Sequence, residues 1–176
     1  MKYFLLLLFL SHTCFAGNFY AGILNNSWQD VLPVKFKDSI TGNNVTTYAL
    51  TTFSTLSLGG GYEGEFGKRW RYSGDLYAHN GTADIHKLVG TISPRKSVTS
   101  LWFSSKINYR QSKTFNYGPQ LVVNSISLPD VGSATSLGLL LNLEFEMYEN
   151  LRLIQSFGTM NDSGTIAYSI GLQKYF

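Results

Sequence analysis

Few residues in this chain have types and spacing suited to chemistry. His79 and His86 stand with Asp84 between them, and Ser73 and Ser104 are hydroxyls that could be recruited to them. Together they would suit hydrolysis or acyl transfer on lipid, or a surface metal. No local His and Ser spacing of that kind stands out, however, so loop and lumen roles are the simpler reading. Gly59, Gly61 and Gly64 spell G-x-G-x-x-G. A dinucleotide fingerprint must open a helix, whereas the residues that follow alternate as a strand, so the match carries no cofactor. Glycines there suit strand bending or close packing around Tyr62. Neither a metal site nor a cofactor is expected.

The remaining candidates are charged. Glu63, Glu65, Asp75, Glu144 and Glu146, with Arg69, Arg71, Lys106, Arg110 and Arg152, all fall on one side of an alternating pattern. Five acids meet five bases, and enclosed charge must find partners. That set reads as an internally paired network rather than a site for an external ion. A narrow ion path, or a gate whose pairs exchange, is the functional alternative.

Elements that would position these residues follow from period two, which means strands. We place them at residues 18–26, 52–66, 69–79, 98–110, 114–125, 134–147, 151–159 and 165–176. Transmembrane strands need about 9 to 11 residues when tilted. Eight is the smallest even number in bacterial outer-membrane barrels. Long connections at 28–51, 80–97 and 126–133 alternate with short ones near Gly67, at 111–113 and at 148–150, as external loops alternate with periplasmic turns. The link at 160–164 is short and fits less well.

One face of each strand is apolar. The sixth carries Leu137, Leu139, Leu141, Leu143, Phe145 and Met147 opposite Ser136, Gly138, Asn142, Glu144 and Glu146, with Leu140 the exception. The fourth sets Leu101, Phe103, Ile107 and Tyr109 against Ser104, Lys106, Asn108 and Arg110. Lys174 is the one charge on an apolar face, two residues from the end, where a long side chain snorkels. Phe66, Trp70, Tyr109, Phe115 and Phe176 fall at strand ends, as amphipathic rings do at a membrane interface. A soluble β-sandwich also buries one face. So would a secreted barrel holding an apolar ligand, with its apolar faces turned inward.

With 176 residues the chain is one domain of all-β class, preceded by a leader. Lys2, the apolar run from Tyr3 to Leu10 and a polar stretch to Cys14, Phe15 and Ala16 have the layout of a secretory signal, residues 1–16, with residues 17–176 the barrel domain. Eight apolar residues are too few for a helix that needs about 20 to cross a bilayer. A lipoprotein reading of Cys14 is weaker, because Ser11 and Thr13 precede it. Losing Lys2 with the leader would take the formal charge from +3 to +2. Scattered charge of that size argues against a nucleic-acid partner.

The chain resembles the small OmpA/OmpX-type outer-membrane barrels over nearly all of residues 17–176. The most specific part is the last strand, Thr165 to Phe176, which ends in an aromatic and places Tyr168, Ile170 and Leu172 behind it on one face, with Lys174 where an apolar residue is usual. The segment Phe115, Tyr117, Gly118, Pro119 and Gln120 is similar to strand starts in that family. The resemblance implies an eight-stranded antiparallel up-and-down transmembrane β-barrel in the bacterial outer membrane. It also implies partners: outer-membrane lipid and lipopolysaccharide, and the barrel-assembly machinery, for which Tyr168, Ile170, Leu172 and Phe176 would be the signal. Exposed apolar residues of loop 28–51 (Val31, Leu32, Pro33, Val34, Phe36 and Ile40) would meet a surface ligand, or fold into a hairpin packed on its neighbours. The expected function is a non-enzymatic barrel with a filled polar lumen and a structural or surface-contact role. The alternative is an outer-membrane enzyme acting on lipid, of deacylase or acyltransferase type.

Overall fold

A computed structural model describes residues 17–37, 41–86, 95–129, 132–161 and 165–176. The expected leader lies outside them. Eight antiparallel strands run β1 (Gly17–Lys37), β2 (Asn44–Phe66), β3 (Trp70–His86), β4 (Arg95–Arg110), β5 (Phe115–Leu128), β6 (Gly132–Tyr148), β7 (Leu151–Met160) and β8 (Thr165–Tyr175). Each pairs with its sequence neighbour, and β8 returns to β1 from Tyr20↔Tyr175 to Trp28↔Ala167, closing the barrel. No described helix is long and apolar enough to cross a membrane.

The outward residues form a belt. Leu56, Leu58, Leu76, Leu101, Phe103, Leu121, Leu137, Leu139, Phe157, Ile166 and Leu172 all present their side chains to the surroundings. On β6 the apolar outer face runs from Leu137 to Met147, a height of about 25 Å at ~3.3 Å per residue and ~40° of tilt. That matches the apolar band of a transmembrane barrel. At its lower edge the rings touch in a chain across five strands: Phe66 to Trp70 at 6.1 Å, Trp70 to Tyr109 at 5.2 Å, Tyr109 to Tyr117 at 5.9 Å, Tyr117 to Phe115 at 5.8 Å and Phe115 to Phe145 at 4.9 Å.

Higher on β1 to β5 the pattern inverts. Outward positions become Asn25, Ser27, Ser54, Asn80, Thr99, Ser125 and Ser127, while inward ones become Trp28, Leu32, Phe53, Ala83, Val98, Ile126 and Leu128. Below the inversion the barrel is apolar outside and polar within, as lipid requires. Above it the interior is an apolar core, and the outward face is polar except on the first hairpin, where Val31, Tyr48 and Leu50 are exposed.

This inversion corrects the expected connections. Residues 28–51 are not a loop: the β1–β2 ladder continues from Trp28↔Phe53 to Lys37↔Asn44, and only 38–43 lie between the strands. Likewise β3 and β4 run on to His86 and from Arg95, leaving 87–94, and the third connection shrinks to 129–131. Leu32 is buried inside the barrel while Val31 and Pro33 face out, so the first hairpin divides its apolar residues between two faces. Val34 and Phe36 continue β1, and Ile40 lies outside the described residues.

Beyond Trp28, β1 has no β8 partner among the described residues, which leaves an open edge. Three of its edge groups are occupied or missing. Gln29 O accepts from Thr165 Oγ1 at 2.7 Å, Val31 N donates to Asp30 Oδ1 at 2.8 Å, and Pro33 has no N–H. An edge blunted in this way resists pairing with another strand.

The glycines read as a false fingerprint belong to the curved wall. A Cβ on Gly61 would collide with the Gly74 carbonyl and lie 2.8 Å from the Tyr20 hydroxyl, and one on Gly59 would lie 2.7 Å from the Tyr77 ring. Their lack of a side chain admits two tyrosines to the lumen.

Placing a charge in the belt tests its orientation. Leu139→Arg is expected to lower stability by about 2 to 4 kcal/mol in urea unfolding from lipid vesicles. Ser127→Arg, above the inversion, is expected to change it by under about 0.5 kcal/mol.

Candidate functional site

The lower lumen is built around six buried charges. Glu63 (β2), Asp75 (β3) and Glu144 (β6) face Arg71 (β3), Lys106 (β4) and Arg152 (β7), each at most 9% exposed. Lys106 Nζ lies 3.0 Å from Asp75 Oδ2 and 4.0 Å from Glu144 Oε1. Arg152 Nη1 donates to both oxygens of Glu63, at 2.9 and 2.8 Å, and stands 3.4 Å from Glu144 Oε2. Arg71 Nη1 lies 3.4 Å from Glu63 Oε1. Three acids and three bases leave the cluster formally neutral.

Neutral side chains satisfy the remaining lone pairs. Tyr20 OH donates to Asp75 Oδ2 at 2.8 Å, and Ser104 Oγ donates to the other oxygen. Asn108 and Asn142 donate to Glu144 Oε1 at 2.8 and 2.9 Å. Tyr175 OH reaches Glu63 Oε2 at 3.4 Å, and its ring lies 3.9 Å from the Arg152 guanidinium carbon. Lys106, Arg152 and the three carboxylates, paired in this way, are positioned rather than free to exchange, while Arg71 contributes charge contacts without a hydrogen bond from Nε or Nη1.

The other expected members lie at the rim or outside. Glu65, half exposed, takes Arg71 Nε at 3.3 Å and pairs with Arg110. Glu146 Oε2 is 4.0 Å from Arg152 Nε at the periplasmic mouth. Arg69 is a correction: it precedes β3 in the turn, is exposed, and donates from Nη1 to Tyr109 OH at 2.6 Å, outside the lumen. A turn residue has no obligatory face, so alternation could not place it.

One buried charge escaped the sequence reading. Asp30 sits high in the lumen, accepting from Ser136 Oγ and, at 2.7 Å, from Asn161 Nδ2. It was hidden in the stretch taken for a loop. Its parity with Trp28 and Leu32 was the available signal.

The histidines do not form a site. His79 and His86 are seven residues apart on one strand, which puts them on opposite faces. His79 is enclosed, with Nδ1 3.1 Å from Thr55 Oγ1, whereas His86 Nε2 meets Thr52 Oγ1 at 3.0 Å on the outside. Ser73 is six residues below His79 on β3, about 20 Å at ~3.3 Å per residue. Ser104 is already bonded to Asp75. No group of three or more metal-ligating side chains forms among the described residues.

At the C-terminus Tyr168, Leu172 and Phe176 face outward, and Ile170 lies on the same face, half-buried. Lys174 shares it at the periplasmic end, with Nζ 3.5 Å from Glu149 O.

No protein-family model and no curated protein matches this sequence. Solved structures do. The outer membrane protein OprG from Pseudomonas aeruginosa aligns at 16% identity and TM-score 0.51, over 92% of this chain and 97% of its own. The Yersinia pestis outer membrane protein Ail in a phospholipid bilayer nanodisc aligns at 13% identity and TM-score 0.50, over 92% and 100%. The fold is that of small outer-membrane barrels. The apolar belt and its aromatic lower edge put this chain in the same kind of membrane, as the resemblance to OmpA/OmpX-type proteins implied.

Truncating one ion separates cluster from rim. Lys106→Met leaves Asp75 and Glu144 without their ammonium and is expected to cost about 3 to 5 kcal/mol. Arg69→Met should fall within about 0.5 kcal/mol of wild type in the same urea titration.

Proposed function

We propose that this chain is a non-enzymatic outer-membrane barrel whose lumen is filled by its own side chains, and that it acts through envelope integrity and contacts made by its extracellular end. The observation that carries this reading is the double closure of the interior. A neutral, hydrogen-bonded ion cluster occupies the lower lumen, and Trp28, Phe53, Val98, Ile126 and Met160, all at most 1% exposed, pack the upper one. An eight-stranded wall leaves a bore that side chains can fill. Against a lipid-modifying enzyme stands the scatter of the candidate His and Ser residues over both faces and distant levels. A narrow channel would require the Arg152–Glu63 and Lys106–Asp75 contacts to open.

Surface contact is supported by the hairpin above the membrane. β1 and β2 are 21 and 23 residues long, about twice what a tilted crossing needs. The outward residues of that extension include Tyr48 and Leu50, exposed beside Thr46. Lipid and lipopolysaccharide are the partners this geometry favours at the belt and its upper border. The outward Tyr168, Ile170, Leu172 and Phe176 are the residues a barrel-assembly factor would read. Residues 1–16 are the leader, with cleavage after Ala16; Gly17 already pairs with Gly64 in the ladder.

Three measurements test the proposal. Purified protein in planar bilayers should give no sustained openings of porin size, and such openings would overturn the filled lumen. Mass spectrometry of the mature protein should give an N-terminus at Gly17, and lipid A should keep the same acyl pattern whether His79 and His86 are present or replaced by Ala.

A further inference from the structure

We infer that the lumen contains a buried hydrogen-bonding site for small uncharged oxygen-bearing molecules, water foremost, at the level of His79 and reached from the periplasmic end. The inference rests on the proposed closure of the extracellular end and adds an internal ligand site to it.

At the level where the strand pattern inverts, several buried side chains aim polar atoms inward without a partner among the described residues. They are Trp28 Nε1, Trp102 Nε1, His79 Nε2, Ser100 Oγ, Asn26 Oδ1 and both amide atoms of Asn124, on residues at most 5% exposed. These groups are neighbours. The His79 ring lies 4.7 Å from Trp102 and 6.0 Å from Trp28, and the two indoles are 5.5 Å apart. Ser100 faces His79 across the β3–β4 ladder, and Asn124 faces Trp102 across the β4–β5 ladder. Buried polar groups concentrated in this way mark a place where a ligand supplies the bonds.

The surrounding network sets the character of the site. Ser57 Oγ donates to Leu24 O at 3.3 Å, and Asn26 Nδ2 lies 3.3 Å from that same carbonyl, which fixes the amide nitrogen on this side. Asn26 then donates to Ser57 Oγ at 3.0 Å and to His79 Nδ1 at 3.3 Å, while Thr55 Oγ1 lies 3.1 Å from the same nitrogen. With Nδ1 accepting, the neutral ring carries its proton on Nε2. The site therefore offers two indole N–H groups, an imidazole N–H, a hydroxyl and an amide, with two amide oxygens as acceptors. None of these groups is cationic, and Asp30 lies one inward position above Trp28. An anion would be buried there without compensation, whereas water, which accepts and donates, fits.

Access is one-sided. Above the site Phe53, Val98, Ile126 and Met160 are close-packed. Below it, β5 contributes no charge to the ion cluster, and its inward Asn116 and Gln120 also hold unpartnered amide atoms. Asn116, Gln120 and Asn124 are four residues apart on the inward face of β5, with Gly118 and Val122 between them, and run from the periplasmic turn to the site.

Indole exchange tests this on the unmutated chain. Three tryptophans give three indole N–H signals, and Trp70 belongs to the outer girdle. In 15N-labelled protein in nanodiscs moved to D2O, the Trp28 and Trp102 indoles should exchange at least tenfold faster than the amides of Leu139 to Leu141. Both should also show cross-relaxation with water. Protection equal to those amides, without water contact, would overturn the site. Bromide-dependent shifts of both indoles would overturn the uncharged class. Asn116→Leu should slow indole exchange and Val98→Ala should leave it unchanged; the reverse would overturn periplasmic access. Failure of the closure itself would instead appear as conductance in planar bilayers.

Discussion

A backbone in hydrocarbon has no water to bond, so every N–H and C=O in the crossing must be answered by another strand. The pairing of β8 with β1, nine residues from Tyr20 to Trp28, answers the last two edges. Everything else in this fold adapts to that closure. Where β8 ends, β1 continues above the membrane as an edge, and three of its edge groups are capped by Thr165 and Asp30 or removed by Pro33. The same strand thus obeys two rules along its length, one set by lipid and the other by aggregation in water.

Closure with eight strands also fixes what the interior can be. The wall leaves a bore of side-chain width, so inward residues must satisfy one another. The two storeys do so differently. The lower one meets lipid-facing residues on its outer side and can afford ions only because they are neutral as a set and bonded to Tyr20, Asn108, Asn142 and Ser104. The upper one stands in water, and its Trp28–Phe53 stack, with ring centroids 4.7 Å apart, is the core of an ordinary soluble barrel. Between them the polar residues of β1, β3, β4 and β5 belong to neither arrangement, which is why their hydrogen-bonding groups are not all used by each other.

The lower half was legible because period two held with one assignment: apolar meant outward. β6 shows this plainly from Leu137 to Phe145, and Glu63, Asp75, Lys106, Glu144 and Arg152, on the polar side of that division, are buried. The upper half was not, because apolar there means inward. At Asn25, Asn26 and Ser27 both faces are polar, so the alternation vanishes and then returns with reversed sense. A scan for one consistent face ends the strand there and reads the rest as a loop. Trp28, Asp30 and Leu32, three successive inward residues, were lost in this way, and with them the upper core. Arg69 failed for a different reason, since a one-residue shift in where the strand begins leaves a side chain in the turn and frees it from any face.

The inversion also bears on how the molecule functions. A barrel confined to the membrane would expose only turns, whereas here the paired β1–β2 hairpin and the upper ends of β3 and β4 carry a rigid wall into the medium. Its outer face bears the Asp84–Arg95 pair at 2.9 Å and the Thr52–His86 contact at 3.0 Å, cross-strand pairs that stiffen a sheet without closing a catalytic site. Rigidity comes from the core beneath, because Phe53, Ala83 and Val98 lock three strands from within. A surface held from inside can present side chains without the ordering cost that a flexible loop incurs on binding. That places the surface-contact role in the same physical feature that closes the lumen: the apolar storey both plugs the bore and braces the exterior wall.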